Sequence, residues 1–300
     1  MILMIVDGHL HLLKSKNFDK ETWDRLGMPF PVDTKLDDVI KWLDFAGVEK
    51  AVVMGQDMTR LWHSQCGEDY VIEAVKRYPE RLVGLASLEP LDQYGRINEE
   101  ALRYFEEAIT KRGLRGVLLT PPYGHYVSND RRVYPFYAKA VELDAVVQYH
   151  HSAQTGPAIL APLRYADISL LNDVSIDFPK MKMVIEHMGY PWTEMLLTLM
   201  VCNPNIYADL AMMYDRPTIL TWNLVMAKEY GVIGRIMYAS DYWCLGQGVF
   251  SDDPAKDFKR YVDWIRSGLN KVAEKAGWPG FSQAEIMGIL GNNAQRLYNL

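Results

Sequence analysis

Met1-Ile2-Leu3-Met4-Ile5-Val6-Asp7-Gly8-His9-Leu10-His11 opens the chain as a short apolar run that ends on a carboxylate and two imidazoles. The run is far too short to span a bilayer. It also lacks the basic flank and small-residue cleavage site of a secretory leader. What remains is a buried strand. Residues two apart on a strand point to the same side, so His9 and His11 leave its C-terminal end together.

Working outward, seven further apolar segments read as strands, at 50–55, 82–87, 116–120, 145–150, 181–187, 206–212 and 235–241, after a first at 3–9. Most are continuously apolar, as in a parallel sheet covered on both faces. Amphipathic stretches lie between them. In one, Leu36, Val39, Ile40 and Leu43 form a single helical stripe, with Thr34 as N-cap, Asp37 in the first turn and Gly47 as the stop. Segments 98–110, 133–143, 218–230 and 258–276 read the same way. Eight strands alternating with helices predict an α/β protein, either a (β/α)8 TIM barrel or an open doubly wound sheet. No Gly-x-Gly-x-x-Gly follows the first strand and no Gly-x-x-x-x-Gly-Lys occurs, which disfavours the nucleotide-binding sheets. With no linker or repeat, residues 1–300 are expected to form one barrel domain with a helical C-terminal extension from about Ser282.

Composition narrows the partners. The 300 residues are 49% hydrophobic and 23% charged, with a net charge of −6. That balance and the absence of a Lys/Arg-rich run argue against nucleic acid, and no apolar stretch is long enough for a membrane. Cys66, Cys202 and Cys244 have no paired spacing and read as reduced thiols of a cytoplasmic protein. A small-molecule substrate is the expected partner, and a homodimer is compatible with the sequence.

The histidines carry the chemistry. Four of seven fall at expected strand ends: His9 and His11 on the first, His150 on the fifth and His187 on the sixth; Asp241 closes the eighth. In a barrel this is the face where the loops build the active site. Any one such histidine reads better as a packed core residue; four together favour a metal centre of imidazole and carboxylate ligands. Zn²⁺ suits that donor set first, with Mn²⁺, Fe²⁺ and Co²⁺ as other occupants. His63 reads as a surface or lid residue, and His125 lies close enough to line a pocket. Only one of His150 and His151 can face the metal, because adjacent strand residues point oppositely.

Asp7-Gly8-His9-Leu10-His11 resembles the Asp-x-His-x-His signature of the amidohydrolase superfamily. The segments Phe178 to Gly189, Ile206 to Leu210, Arg235 to Tyr242 and Ile286 to Leu297, with its closing Gly-Asn-Asn-Ala-x-Arg-Leu, resemble the amidohydrolase-related branch that includes aminocarboxymuconate semialdehyde decarboxylase. The resemblance implies a distorted (β/α)8 barrel with one divalent metal held by His9, His11, His150 and Asp241, and His187 as the nearby acid/base. Two-metal relatives carry a strand-four lysine. Gly116-Val117-Leu118-Leu119-Thr120 has none, so a mononuclear site is expected.

Such a site would acidify a water to a pKa of about 7, with Asp241 accepting its proton and His187 relaying one. Hydrolysis of an ester, lactone or amide is the preferred expectation. Metal-assisted, non-oxidative decarboxylation is the alternative, and a non-catalytic metal-binding barrel is a third. Tyr123, Tyr126, Tyr149, Tyr190, Trp192, Tyr242 and Trp243 at loop starts suggest a flat or unsaturated substrate, although each also reads as rim packing. Arg60 and Arg164 could pair with a substrate carboxylate, or be ordinary surface arginines. With His125, Tyr149 and Trp192 they complete the substrate-side candidates.

Overall fold

The structure is a computed structural model that describes residues 4–66, 68–153, 156–213, 215–243 and 251–300. Leu3 and Cys244 therefore lie outside the described residues. Eight strands form one sheet: β1 Val6–His11, β2 Lys50–Met54, β3 Leu82–Ser87, β4 Gly116–Leu119, β5 Val146–Tyr149, β6 Lys182–Ile185, β7 Ile206–Asp209 and β8 Ile236–Met237. All seven neighbouring pairs are parallel and follow chain order.

The sheet closes on itself. Gly8 N–H donates to Tyr238 O at 2.9 Å, Asp241 N–H to His9 O at 2.9 Å and His11 N–H to Tyr242 O at 3.0 Å. Asp7, beneath this seam, accepts from His9 N–H and Ser240 N–H. The approach is close: a Cβ on Gly8 would lie 3.1 Å from Tyr238 O. Closure decides between the two expected architectures in favour of the (β/α)8 barrel.

The last strands are shorter than expected. The regular strands stop at Asp209 and Met237, and the segments that follow keep single backbone bonds to their neighbours before ending on left-handed residues, Met212 at φ 55° and Asp241 at φ 53°. Helix Leu36–Ala46 forms with Gly47 as its left-handed C-cap, but Lys35, not Thr34, occupies the N-cap, with no side-chain cap. Thr34 is instead buried, its carbonyl accepting from Tyr70.

The C-terminal extension seals the barrel floor. Ser282 and Glu285 form a reciprocal capping box. From the following turns, Asn293 donates to Ile236 O and Ile233 O. Ala294, Leu297 and Tyr298 join Val6, Val52, Leu85 and Val184 in the inner core. Gly291 passes so close to the first strand that a Cβ would lie 1.9 Å from Met4 O. Ligand chemistry is thereby confined to the other mouth. Among the described residues, no helix is long and apolar enough to cross a membrane.

Candidate active site

Inner-core packing identifies which side chains face the barrel axis. Val6 faces inward, and a register shift between Asp7 and Leu10 changes the phase of β1, so that His9 and His11 also converge there. On β5, Val146 is inward, and Gln148 and His150 follow by alternation; on β6, Val184 leads to Glu186.

Two groups of donor atoms meet at the mouth. His9, His11 and Asp241 form the first, and His150, Glu186 and His187 the second; within each, the atoms lie within 4.8 Å of one another. His9 Nε2 links them, 3.3 Å from Asp241 Oδ1 and 3.5 Å from Glu186 Oε1. His187 Nδ1 lies 3.8 Å from Asp241 Oδ2.

His187 follows an inward-facing residue, and simple alternation would turn it outward. The chain instead turns left-handed at His187 (φ 55°), Met188 (φ 51°) and Gly189 (φ 62°). Each such non-glycine residue costs about 1–3 kcal/mol. Asp209 holds the turn by accepting from His187 N–H at 2.8 Å and Ala211 N–H at 3.1 Å, while its second oxygen lies 3.1 Å from His9 Nδ1.

Hydrogen-bond partners assign the tautomers. His9 Nδ1 faces the Asp209 carboxylate and His11 Nδ1 lies 3.0 Å from Gly55 O, both acceptors. Neutral rings donate through Nδ1 and turn Nε2 lone pairs towards each other, 3.0 Å apart, and towards Asp241 Oδ1 at 3.3 and 3.4 Å. Three converging acceptors call for a cation. Burial alone would lower the pKa of His9, yet Glu186, Asp241 and Asp209 raise it to about 10, so a proton on His9 answers the same call for positive charge unless a metal ion takes its place and leaves the ring neutral. Asp241 stays below the usual carboxylate range despite burial, because His9, His11 and His187 surround it. The donor set fits a metal ion.

His150 Nδ1 lies 3.0 Å from Glu186 Oε2, whose other oxygen accepts from Gln148 Nε2 at 3.0 Å. This arrangement leaves His150 Nε2 buried with no hydrogen-bond partner. His187 donates Nδ1–H to Ala211 O at 3.0 Å, so Nε2 is its proton-exchanging nitrogen. His11, His150, His187 and Asp241 open into a cleft of about 520 Å³ walled by Met28, Met58, Met213, Tyr123, Tyr190 and Trp243.

The substrate-side candidates are placed outside the described cleft. Tyr149 is fully buried and packs outward on Tyr137 and His151, one residue out of phase with His150. Arg60 is drawn to Glu89 at 3.5 Å. His125 lies 2.9 Å from Ile159 O and stacks on Tyr165, while Arg164 is exposed over the same ring. Trp192 packs on the outer core. None of the five lines the described cleft. His63 is exposed. His151 lies 2.9 Å from Ala166 O and 3.2 Å from Ser128 Oγ, and burial lowers it to about 4. Glu186, Gln148 and Asp209 were missed. The two-residue period from His150 could have found Gln148; Asp209 and Glu186 carried no spacing signal of their own.

Residues 6–300 match the family described as amidohydrolase. The chain belongs to that family. This amidohydrolase is 28% identical over 234 residues to the 2-keto-4-carboxy-3-hexenedioate hydratase of Sphingobium sp. (strain NBRC 103272 / SYK-6). That match takes in 67% of this chain and 65% of the relative, so the chain spans about two thirds of its curated relative's length. Among solved structures, an uncharacterised TIM-barrel protein of Bordetella bronchiseptica superposes with a TM-score of 0.72 at 21% identity, covering 98% of each chain. The 2,6-dihydroxybenzoate decarboxylase of Rhizobium superposes with a TM-score of 0.68 at 14% identity, covering 99% of each. At these identities the structural likeness shows the barrel fold.

Proposed function

We propose that this amidohydrolase is a metal-dependent enzyme that directs an activated water at a small, carboxylated and unsaturated substrate, by hydrolysis or by hydration of a conjugated double bond. One observation carries the reading. Asp241 meets His9 and His11 through Oδ1 and approaches His187 through Oδ2, at the floor of an open cleft. His9, His11, His150 and Asp241 would hold one divalent cation, Zn²⁺ first. When bound, it supplies Lewis-acid polarisation and acidifies water.

The remaining work belongs to side chains. The Asp241 carboxylate orients the attacking water and takes its proton; His187, fixed through Nδ1, exchanges a proton at Nε2. Methionine and aromatic side chains wall the approach to these groups. Similarity to a protein named for a hydration supports a water-adding reaction. In this reading the chain is one domain that acts on a small molecule, in the cytoplasm and as a homodimer.

The test is Asp241→Asn in zinc-loaded protein, assayed on esters, lactones and conjugated enoates. Asparagine still offers an oxygen ligand but takes no proton near neutral pH. The expected result is turnover by the unaltered protein and its loss in the variant with zinc retained. CO2 release with solvent deuterium at the carbon left behind, and no water addition across the panel, would replace this reading with decarboxylation.

A further inference from the structure

The cleft has a cationic side chain that the water chemistry does not use. Among its described lining residues, Arg216 is the single Arg or Lys side chain. It sits where the loop leaving β7 enters helix Pro217–Glu229, as the N-cap residue. Its backbone is fixed on both sides, N–H donating to Met213 O at 3.1 Å and C=O accepting from Leu220 N–H at 2.9 Å.

Its guanidinium is little occupied. Among the described residues its charged partner is the adjacent Asp215, at 3.9 Å, too long for a hydrogen bond. Partly exposed pairs of this kind contribute little. The group lies 5.6 Å from the ring centre of Tyr190, another lining residue; packing over a ring leaves the in-plane N–H fork free. Arg60 and Arg164 differ, the first drawn to Glu89 and the second exposed outside the cleft. The carboxylates at the imidazole end are already surrounded by His9, His11, His150 and His187, so they have no need of Arg216.

We propose that Arg216 is the specificity-determining residue of this cleft, pairing bidentately with a second substrate carboxylate, one that the imidazole end does not hold. The substrate class is then a short unsaturated dicarboxylate. The inference rests on the functional reading above, which assigns the imidazole end to the reacting part of the substrate. A fork–carboxylate pair in a partly dry site distinguishes a dicarboxylate from a monocarboxylate by about 10-fold or more.

Calorimetry on zinc-loaded protein tests this with glutaconate, which has two carboxylates, and crotonate, which has one. Expected is a preference for glutaconate of about 10-fold in the unaltered protein, falling below about 2-fold in Arg216→Gln with crotonate affinity and zinc content unchanged. Arg216→Lys, which keeps the charge without the fork, is expected to fall between them, and it serves as the test if Arg216→Gln does not fold. An undiminished preference in either variant, or no preference or binding in the unaltered protein, would overturn the proposal. Failure of the functional reading shows separately, as zinc-loaded protein that adds water to nothing in the assay panel.

Discussion

Glu186 Oε2 lies 3.0 Å from His150 Nδ1, and the same carboxylate reaches to 3.5 Å from His9 Nε2. One buried acid thus orients a histidine of one donor group while facing the other. Carboxylates behind metal-site histidines set tautomer and ring direction, and their loss costs about 10–100-fold in metal affinity or activity. We predict that loss for Glu186→Gln with the thermal transition nearly unchanged. Metal titration and initial rates measure it; an unaltered Kd and kcat would leave Glu186 a packing residue.

The His9 and His11 lone pairs converge on Asp241. Changing both histidines to Ala removes two donors and the reason for a cation to bind between them. The expected metal content falls from about one ion per chain to near zero, measured by elemental analysis after dialysis. Full occupancy in the double variant would place the ion elsewhere.

His187→Asn is predicted to retain metal and lose activity on the order of 10²- to 10⁴-fold, the usual contribution of a general acid/base. The left-handed turn should tolerate the change, since asparagine adopts that backbone more readily than most residues. Loss of metal together with activity would make His187 a ligand.

Stability at mildly alkaline pH depends on a group that does not line the cleft. Glu68, at the start of helix Glu68–Arg77, accepts from Ser87 N–H and Tyr104 OH, and burial raises it from 4.5 to about 7. The folded state therefore holds this proton more tightly than the unfolded chain. The resulting stabilisation is full below about pH 4.5 and is lost as pH rises through about 7. Glu68→Gln mimics the protonated form, so its stability should match the unaltered protein at pH 5 and exceed it at pH 8, by on the order of 1–2 kcal/mol. Urea unfolding at the two pH values measures the difference; a pH-independent offset would show that Glu68 is ordinary.

By itself the sequence determined the alternation of buried strands and amphipathic helices, the parallel sheet and the clustering of histidines at strand ends. These follow from local periodicity, which contacts between neighbouring residues along one element dictate. Only the tertiary structure decided which side chains share the mouth. His9 gains its direction from a bulge in β1, and His187 from left-handed backbone held by Asp209. Arg216 enters the cleft because the β7 loop is fixed to its helix, whereas Arg60 is drawn away by Glu89, 29 residues along the chain. Near strand ends, side-chain direction is set by closure and by partners as far as 200 residues away, as His9 and Asp209 are, and no period along the chain encodes it.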